Sequence, residues 1–259
     1  MKVLVKLGGT LVDDEAARRI IATQVAALAR EHELVVVHGG GKQVTRYLEE
    51  RGIQSRFVGG LRVSDESVID AVTQVIAGKV NKQLVAAINA AGKLAVGLSG
   101  VDGLLTKAER LNPELGFVGK PSKTDGNLLD LLVEARFLPV VACIAADESG
   151  NIYNVNADQM AVSCATGWHA ARLIFLTDVP GVRDGNGELV SSITPEVVEQ
   201  LVGSGVAHGG MQAKLEAAVA ALHAGISTVI IASGREPDIC SRLLAGEVIG
   251  TTLSLNNAA

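Results

Sequence analysis

The apolar strands of this chain break off into glycine. Leu34-Val35-Val36-Val37 is apolar at every position and runs into His38-Gly39-Gly40-Gly41-Lys42, after which helical spacing begins. Val3-Leu4-Val5 leads in the same way into Lys6-Leu7-Gly8-Gly9, and Leu173-Ile174-Phe175-Leu176 into Thr177-Asp178-Val179-Pro180-Gly181. A strand without polar alternation is covered on both faces, as in a parallel sheet held between helices. Strand, turn and helix in repeated succession predict an α/β sandwich with a mostly parallel sheet. Ligands of such sheets sit beyond the carboxyl ends of the strands, so the glycine turns are expected to border one shared cleft.

The remaining pattern agrees. Asp13 and Asp14 are placed to cap a helix whose Ile21, Val25 and Leu28 share a face. A second helical stretch runs from the glycines to residue 50. Residues 65–91 read as one long or broken helical segment, and Ala95-Val96-Gly97-Leu98 as a strand. Between residues 103 and 120, short β-like pieces separated by Gly and Pro predict hairpins. Residues 128–136 are expected to be helical and 138–142 a strand. Residues 154–165 start polar and become an amphipathic helix. Asp184-Gly185-Asn186-Gly187 predicts a tight turn. Helices are expected at 194–201, 211–224 and 237–244, with a strand at 228–231.

Composition narrows the function classes. With 259 residues and 48% hydrophobic side chains, a full core needs no disulfide or metal staple. Aromatics are 3% and the formal charge is -5, which leaves neither stacking platforms nor the broad basic surface of a nucleic-acid binder. No apolar run approaches the roughly 20 residues that span a bilayer. Three widely spaced cysteines, Cys143, Cys164 and Cys240, fit a reduced cytoplasmic setting better than a disulfide framework. A soluble protein with a small-molecule substrate is expected.

The candidate residues cluster at the glycine turns. Three glycines after a buried strand let backbone N–H groups close on an anion at a helix start, or simply make a tight turn. The loop is no Walker A motif, because Gln43 follows its lysine where Ser or Thr is required. Lys6, beside Gly8 and Gly9, either reaches a phosphate or is a solvated surface lysine. Arg62, after Gly59-Gly60-Leu61, offers a bidentate fork to a carboxylate or forms a surface ion pair. Asn154, Asn156 and Asp158 alternate and would share one face of an extended segment; a helix cap explains one of the three. Lys214 comes after Gly209-Gly210 and is expected in a first helical turn, where it opposes the helix dipole and calls for an anionic partner. The five histidines show no metal-ligand spacing, and no metal-binding residue is expected.

Taken in order, Lys6-Leu7-Gly8-Gly9, His38-Gly39-Gly40-Gly41, Gly60-Leu61-Arg62-Val63, Asn154-Val155-Asn156-Ala157-Asp158 and Gly210-Met211 with Lys214 resemble the amino acid kinase family from Lys6 to about Thr252. Gly60-Leu61-Arg62-Val63-Ser64-Asp65 points within it to the branch acting on N-acetyl-L-glutamate. The resemblance implies a three-layer αβα sandwich. Residues 1–168 would form a lobe for the acyl amino acid and for dimerisation, and 169–259 a lobe for ATP. It implies that Lys6 and Lys214 stabilise the transferring phosphoryl group, with Asp158 holding both. Gly40, Gly41, Arg62 and Asn154 would bind the acyl amino acid. Gly8, Gly9, Thr177, Asp178, Val179, Pro180, Gly181, Val182, Val206, Ala207 and His208 would meet the nucleotide, with Mg²⁺ as its companion. The implied reaction phosphorylates the γ-carboxylate in arginine biosynthesis. Alternatives are a kinase for N-acetyl-aminoadipate or N-succinylglutamate, and a ligand sensor on the same fold. Because Lys6 stands so close to the first residue, the expectation is an arginine-insensitive homodimer, to be checked by sedimentation and inhibition.

Overall fold

The structure, a computed structural model, describes residues 1–256. In chain order its first half contains β1 (Lys2–Leu7), α1 (Gly9–Asp13), α2 (Glu15–Glu31), β2 (Glu33–His38), α3 (Gly41–Glu49), β3 (Phe57–Val58), β4 (Leu61–Arg62), α4 (Glu66–Val72), a π-helical segment (Thr73–Val80), α5 (Asn81–Ala90) and β5 (Ala95–Ser99). Next come β6 (Thr106–Arg110), β7 (Val118–Thr124), α6 (Asn127–Glu134), β8 (Leu138–Ala142), β9 (Ile144–Ala146), β10 (Ile152–Val155) and α7 (Ala157–Gly167). The second half holds β11 (Arg172–Thr177), β12 (Ser192–Ile193), α8 (Pro195–Gly203), α9 (Gly209–His223), β13 (Thr228–Ser233), α10 (Ile239–Leu244) and β14 (Thr251–Leu253).

Eight strands form one sheet in the order β12-β14-β13-β11-β1-β2-β8-β5. Only β13 and β14 run antiparallel; every other neighbouring pair is parallel. Val3, Leu4, Val5 and Leu7 of β1 are fully buried, as are Val35, Val36 and Val37 of β2. Consecutive residues point to opposite faces, so both faces are covered. Helices α1, α2, α5 and α10 pack together along one face, and α7, α8 and α9 along the other. This is the three-layer sandwich that the unbroken apolar strands require. Strands before residue 169 make one half of the sheet and those after it the other half, joined through the β1–β11 ladder.

Several local expectations hold with their causes visible. Asp14 caps α2, its carboxylate accepting the N–H of Ala17 at 2.7 Å, whereas Asp13 pairs with Arg46 of α3 at 3.2 Å. The expected hairpin is β6–β7, antiparallel with a bulge at Lys107/Ala108. Sequence reading did not foresee that β9 and β10 close it into a small barrel with β6 and β7. The β3–β4 turn is Gly59-Gly60, with φ of 56° and 79°. Two consecutive positive φ values suit the two-residue hairpin turn, and glycine adopts them without strain.

The 65–91 segment is one run of helix whose middle, Thr73–Val80, is π-helical. A π turn shifts the facing of every later residue in the run relative to an unbroken α-helix. Its side chains press on the glycine loop: a Cβ at Gly40 would stand 3.2 Å from Ile76 Cγ1 and 3.3 Å from Val80 Cγ2.

Candidate active site

Three charged side chains from distant parts of the chain meet at the carboxyl end of the sheet. Lys6 lies near the end of β1, Asp158 is the second residue of α7, and Lys214 is the sixth of α9. Lys6 Nζ stands 2.6 Å from Asp158 Oδ1, and Lys214 Nζ donates to Asp158 Oδ2 at 2.9 Å. All three residues are 8% exposed, so this is not a surface ion pair. Burial pushes the Asp158 carboxyl up, but the two ammonium groups together outweigh it and hold it below its ordinary value. Lys214 is lowered by burial and by the nearby Lys6 charge, against the pull of Asp158. Two ammonium groups around one carboxylate leave a buried excess of positive charge, which complements an anion.

Two expectations about these residues need correction. Lys214 sits in the second turn of α9, not the first, because the helix begins at Gly209. Its anionic partner is Asp158, and it also lies 5.1 Å from the centre of the Phe175 ring. The shared extended face of Asn154, Asn156 and Asp158 does not form. Asn156 is the N-cap of α7, accepting the N–H groups of Asp158 at 2.9 Å and Gln159 at 3.2 Å. The cap turns the chain into a helix, and that turn delivers Asp158 to the lysines.

The glycine loop adjoins this centre. A Cβ at Gly39 would lie 3.2 Å from Ala157 Cβ, so the loop touches the first residue of α7. Gly40 is the N-cap of α3 and Gly41 its first residue, and the N–H groups of Gly40 and Gly41 have no acceptor among the described residues. On the other side of β1, Gly8 N–H donates to Leu176 O at 2.8 Å, and Gly9 opens α1. The loops after β1, β2 and β11 thus lie side by side at the carboxyl end of the sheet.

Arg62 stands beyond the glycine loop. It is 7% exposed, and burial lowers its pKa. Its guanidinium donates to Gly41 O at 2.9 Å, to Thr45 Oγ1 at 2.7 Å and to Ser55 Oγ, and lies 4.7 Å from the Phe57 ring centre. Every acceptor is neutral; no carboxylate pairs with it among the described residues. Asn154 Nδ2 donates to Ser64 Oγ at 3.2 Å, and Ser64 Oγ donates to Arg62 O at 2.9 Å, which joins Asn154 to Arg62. Thr45 and Ser55 were not foreseen, and Ser64 stood only in the motif of residues 60–65 without a role of its own. Thr45 alone carried a signal, one helical turn after Gly41 on the same face.

The segments expected to meet a nucleotide lie in the second half of the chain. Thr177 ends β11, and its hydroxyl donates to Asp178 Oδ1 at 3.1 Å. Asp178, Val179 and Pro180 are exposed, and Val182 N–H donates to Thr251 Oγ1 at 2.8 Å beside Gly181. Val206 and Ala207 link α8 to α9, His208 caps α9, and a Cβ at Gly185 would lie 3.8 Å from Val206 Cγ2. The two segments therefore flank the 184–187 turn. No hydrogen bond or ion pair ties either segment to Lys6, Asp158 or Lys214 among the described residues.

His38, fully buried at the end of β2, has its pKa pushed down to about 4, chiefly by burial. The unfolded chain therefore binds a proton here at higher pH than the folded one. Stability is fully present above pH 6.5 and is lost as pH falls toward 4, by about 3 kcal/mol from this residue. Urea titrations at pH 7 and pH 4.5 are expected to show that fall, and a His38→Asn variant to show less of it. Equal acid loss in both proteins would acquit His38.

Comparison with known proteins fits this geometry. Residues 1–233 match the model of the amino acid kinase family. An acetylglutamate kinase of Solibacter usitatus is 56% identical over 254 residues, covering 98% of this chain and 99% of that protein. An acetylglutamate kinase of Bartonella tribocorum is 41% identical over 266 residues, covering 97% of this chain and 88% of the relative. Among solved structures, the N-acetylglutamate synthase of Neisseria gonorrhoeae superposes with a TM-score of 0.87 at 24% identity, covering all of this chain and 60% of that one. The chain belongs to the amino acid kinase family.

Proposed function

We propose that this protein transfers the γ-phosphoryl group of ATP to the γ-carboxylate of N-acetyl-L-glutamate, yielding N-acetylglutamyl 5-phosphate and ADP in arginine biosynthesis. The observation that carries the reading is the pair of buried cationic centres flanking one glycine loop. The Lys6–Asp158–Lys214 centre suits a phosphoryl group, and Arg62, without a carboxylate of its own, suits the carboxylate that is not phosphorylated.

The chemistry asks little of the side chains beyond placement and charge. A glutamate side chain is already ionised at neutral pH, so no general base is required. A carboxylate oxygen attacks the γ-phosphorus, the bond to the β,γ-bridging oxygen breaks, and its electron pair leaves with ADP. Negative charge builds on the equatorial oxygens and the leaving group, where Lys6 and Lys214 neutralise it. The free N–H groups of Gly40 and Gly41 add donors, and Asn154 orients the acyl amino acid. Asp158 is engaged by both lysines, and no group of three or more His, Cys, Asp or Glu is gathered for a metal among the described residues. Mg²⁺ would accompany the nucleotide phosphates and supply further positive charge there.

In this reading residues 1–168 hold the acyl amino acid and 169–259, through residues 177–182 and 206–208, the nucleotide. No helix among the described residues is long and apolar enough to cross a membrane. A cytoplasmic setting belongs to this reading, and the three free, buried cysteines fit a reducing compartment. Assembly as a homodimer belongs to the same reading.

The test is ADP release with ATP, Mg²⁺ and a panel of acyl amino acids, trapping acyl phosphate with hydroxylamine. Turnover is expected to be highest with N-acetyl-L-glutamate. Highest turnover with N-acetyl-aminoadipate or N-succinylglutamate would reassign the substrate, and nucleotide binding without turnover on any of them would leave a ligand sensor.

A further inference from the structure

Behind the glycine loop, away from the charged centre, lies a polar chain that the proposed chemistry does not use. Lys82 Nζ donates to Asn81 Oδ1 at 3.1 Å and to Gly97 O at 3.1 Å. Asn81 Nδ2 lies 2.9 Å from Val140 O and 3.0 Å from His38 Nε2. His38 Nδ1 lies 2.9 Å from Gly39 O. His38 and Asn81 are buried, at 0% and 1% exposure.

The direction of every bond in this chain is forced. An ammonium only donates and a backbone carbonyl only accepts. Lys82 therefore fixes Oδ1 as the end of the Asn81 amide facing it, and Val140 O independently requires the NH₂ group on its own side. One amide hydrogen goes to Val140 O, and the other goes to His38 Nε2, which must be unprotonated. Gly39 O can only accept, so the proton of the neutral imidazole sits on Nδ1. The Gly39 carbonyl is thereby drawn toward the ring. In a trans peptide the next N–H points the opposite way, so the Gly40 N–H is turned away from the imidazole.

We propose that His38 and Asn81, aligned by Lys82, are positioning residues that fix the Gly39–Gly40 peptide so that its N–H faces the transferring phosphoryl group. This role rests on the kinase reading above. Two neighbours support it independently. A Cβ at Gly97 would collide with Asn81 Oδ1 and lie 2.8 Å from Lys82 Nζ, so glycine at this place in β5 leaves the chain room. The π-helical segment that ends at Val80, one residue before Asn81, also packs closely on Gly40 through Ile76 and Val80. The loop is thus held by both a directed hydrogen bond and close packing, while neither His38 nor Asn81 reaches the lysine centre by a hydrogen bond.

Two measurements test the proposal. The first is the ¹⁵N spectrum of the imidazole in the wild-type protein at pH 7, assigned by comparison with His38→Asn. A neutral ring protonated at Nδ1 is expected, and a proton on Nε2 would overturn the chain. The second is steady-state kinetics with ATP and N-acetyl-L-glutamate. His38→Leu is expected to lose about 100-fold in kcat with little change in either KM, as misplaced donors act in the transition state. His38→Asn, whose amide offers an N–H close to the place of Nδ1, is expected to recover a large part of that loss. An unchanged kcat in folded His38→Leu, or equal losses in both variants, overturns the positioning role. A wild-type protein inactive on every acyl amino acid overturns the kinase reading and this role with it, whereas the ring spectrum tests the hydrogen-bond chain in either event.

Discussion

Replacing Lys214 by alanine is expected to lower kcat by about 10²–10³-fold and to leave the KM for the acyl amino acid within about threefold. The ammonium group lies in a buried site where its charge is weakly screened, 2.9 Å from Asp158. The γ-phosphate is already anionic when bound, but charge shifts toward the leaving oxygen as the phosphoryl group transfers, so the interaction is stronger in the transition state than with the bound substrate. Its loss takes the centre from an excess of one positive charge to neutrality. The fold should survive, because Asp158 keeps Lys6 at 2.6 Å and no buried carboxylate is left unpaired. Asp158→Ala differs in kind: it strands two buried ammonium groups and is expected to cost stability as well. Turnover assays with thermal melting separate the two cases. Near-normal kcat in Lys214→Ala would remove this lysine from the mechanism.

The layers of this protein were legible from the sequence because their cause is local. An unbroken run such as Leu34-Val35-Val36-Val37 must be covered on both sides wherever it goes, and a glycine cluster after it must turn. The members of the charged centre were also legible one by one, through glycine neighbours or polar company. Their union was visible only through resemblance. Lys6, Asp158 and Lys214 belong to three elements that only the sheet order brings together, with β11 beside β1 and α7 packed against α9. Partners of Arg62 escaped for a related reason. A Thr on α3 and a Ser ahead of a hairpin carry no mark of their purpose until the hairpin folds back on the helix. The π-helical segment escaped because the apolar positions at and before it, Val72, Val75 and Ile76, fit an α-helix as well. Asn156 misled through periodicity: alternation implied a strand, whereas the amide ended the strand by capping a helix.

Arg62→Met is expected to raise the KM for N-acetyl-L-glutamate by about 100-fold with kcat much less affected, the reverse of the Lys214 pattern. The guanidinium is fixed by Gly41 O, Thr45 Oγ1 and Ser55 Oγ, all neutral, and holds its charge at 7% exposure without a counter-ion. A site that confines a cation in this way costs desolvation before any ligand arrives. A substrate carboxylate offsets that cost, and a charge-assisted hydrogen bond from one of the remaining N–H groups contributes up to about 3 kcal/mol. That carboxylate is remote from the reacting phosphorus and is held as firmly in the ground state as in the transition state, so binding suffers and the chemical step does not. Arg62→Lys is expected to recover little, since a single ammonium cannot serve the three protein acceptors and the substrate at once. The decisive comparison is with the substrate whose α-carboxylate is replaced by a carboxamide. The wild-type protein should discriminate strongly against it, whereas Arg62→Met should bind the two nearly alike. If the variant still prefers the carboxylate by the wild-type margin, another group holds that carboxylate and Arg62 only ties the hairpin to α3.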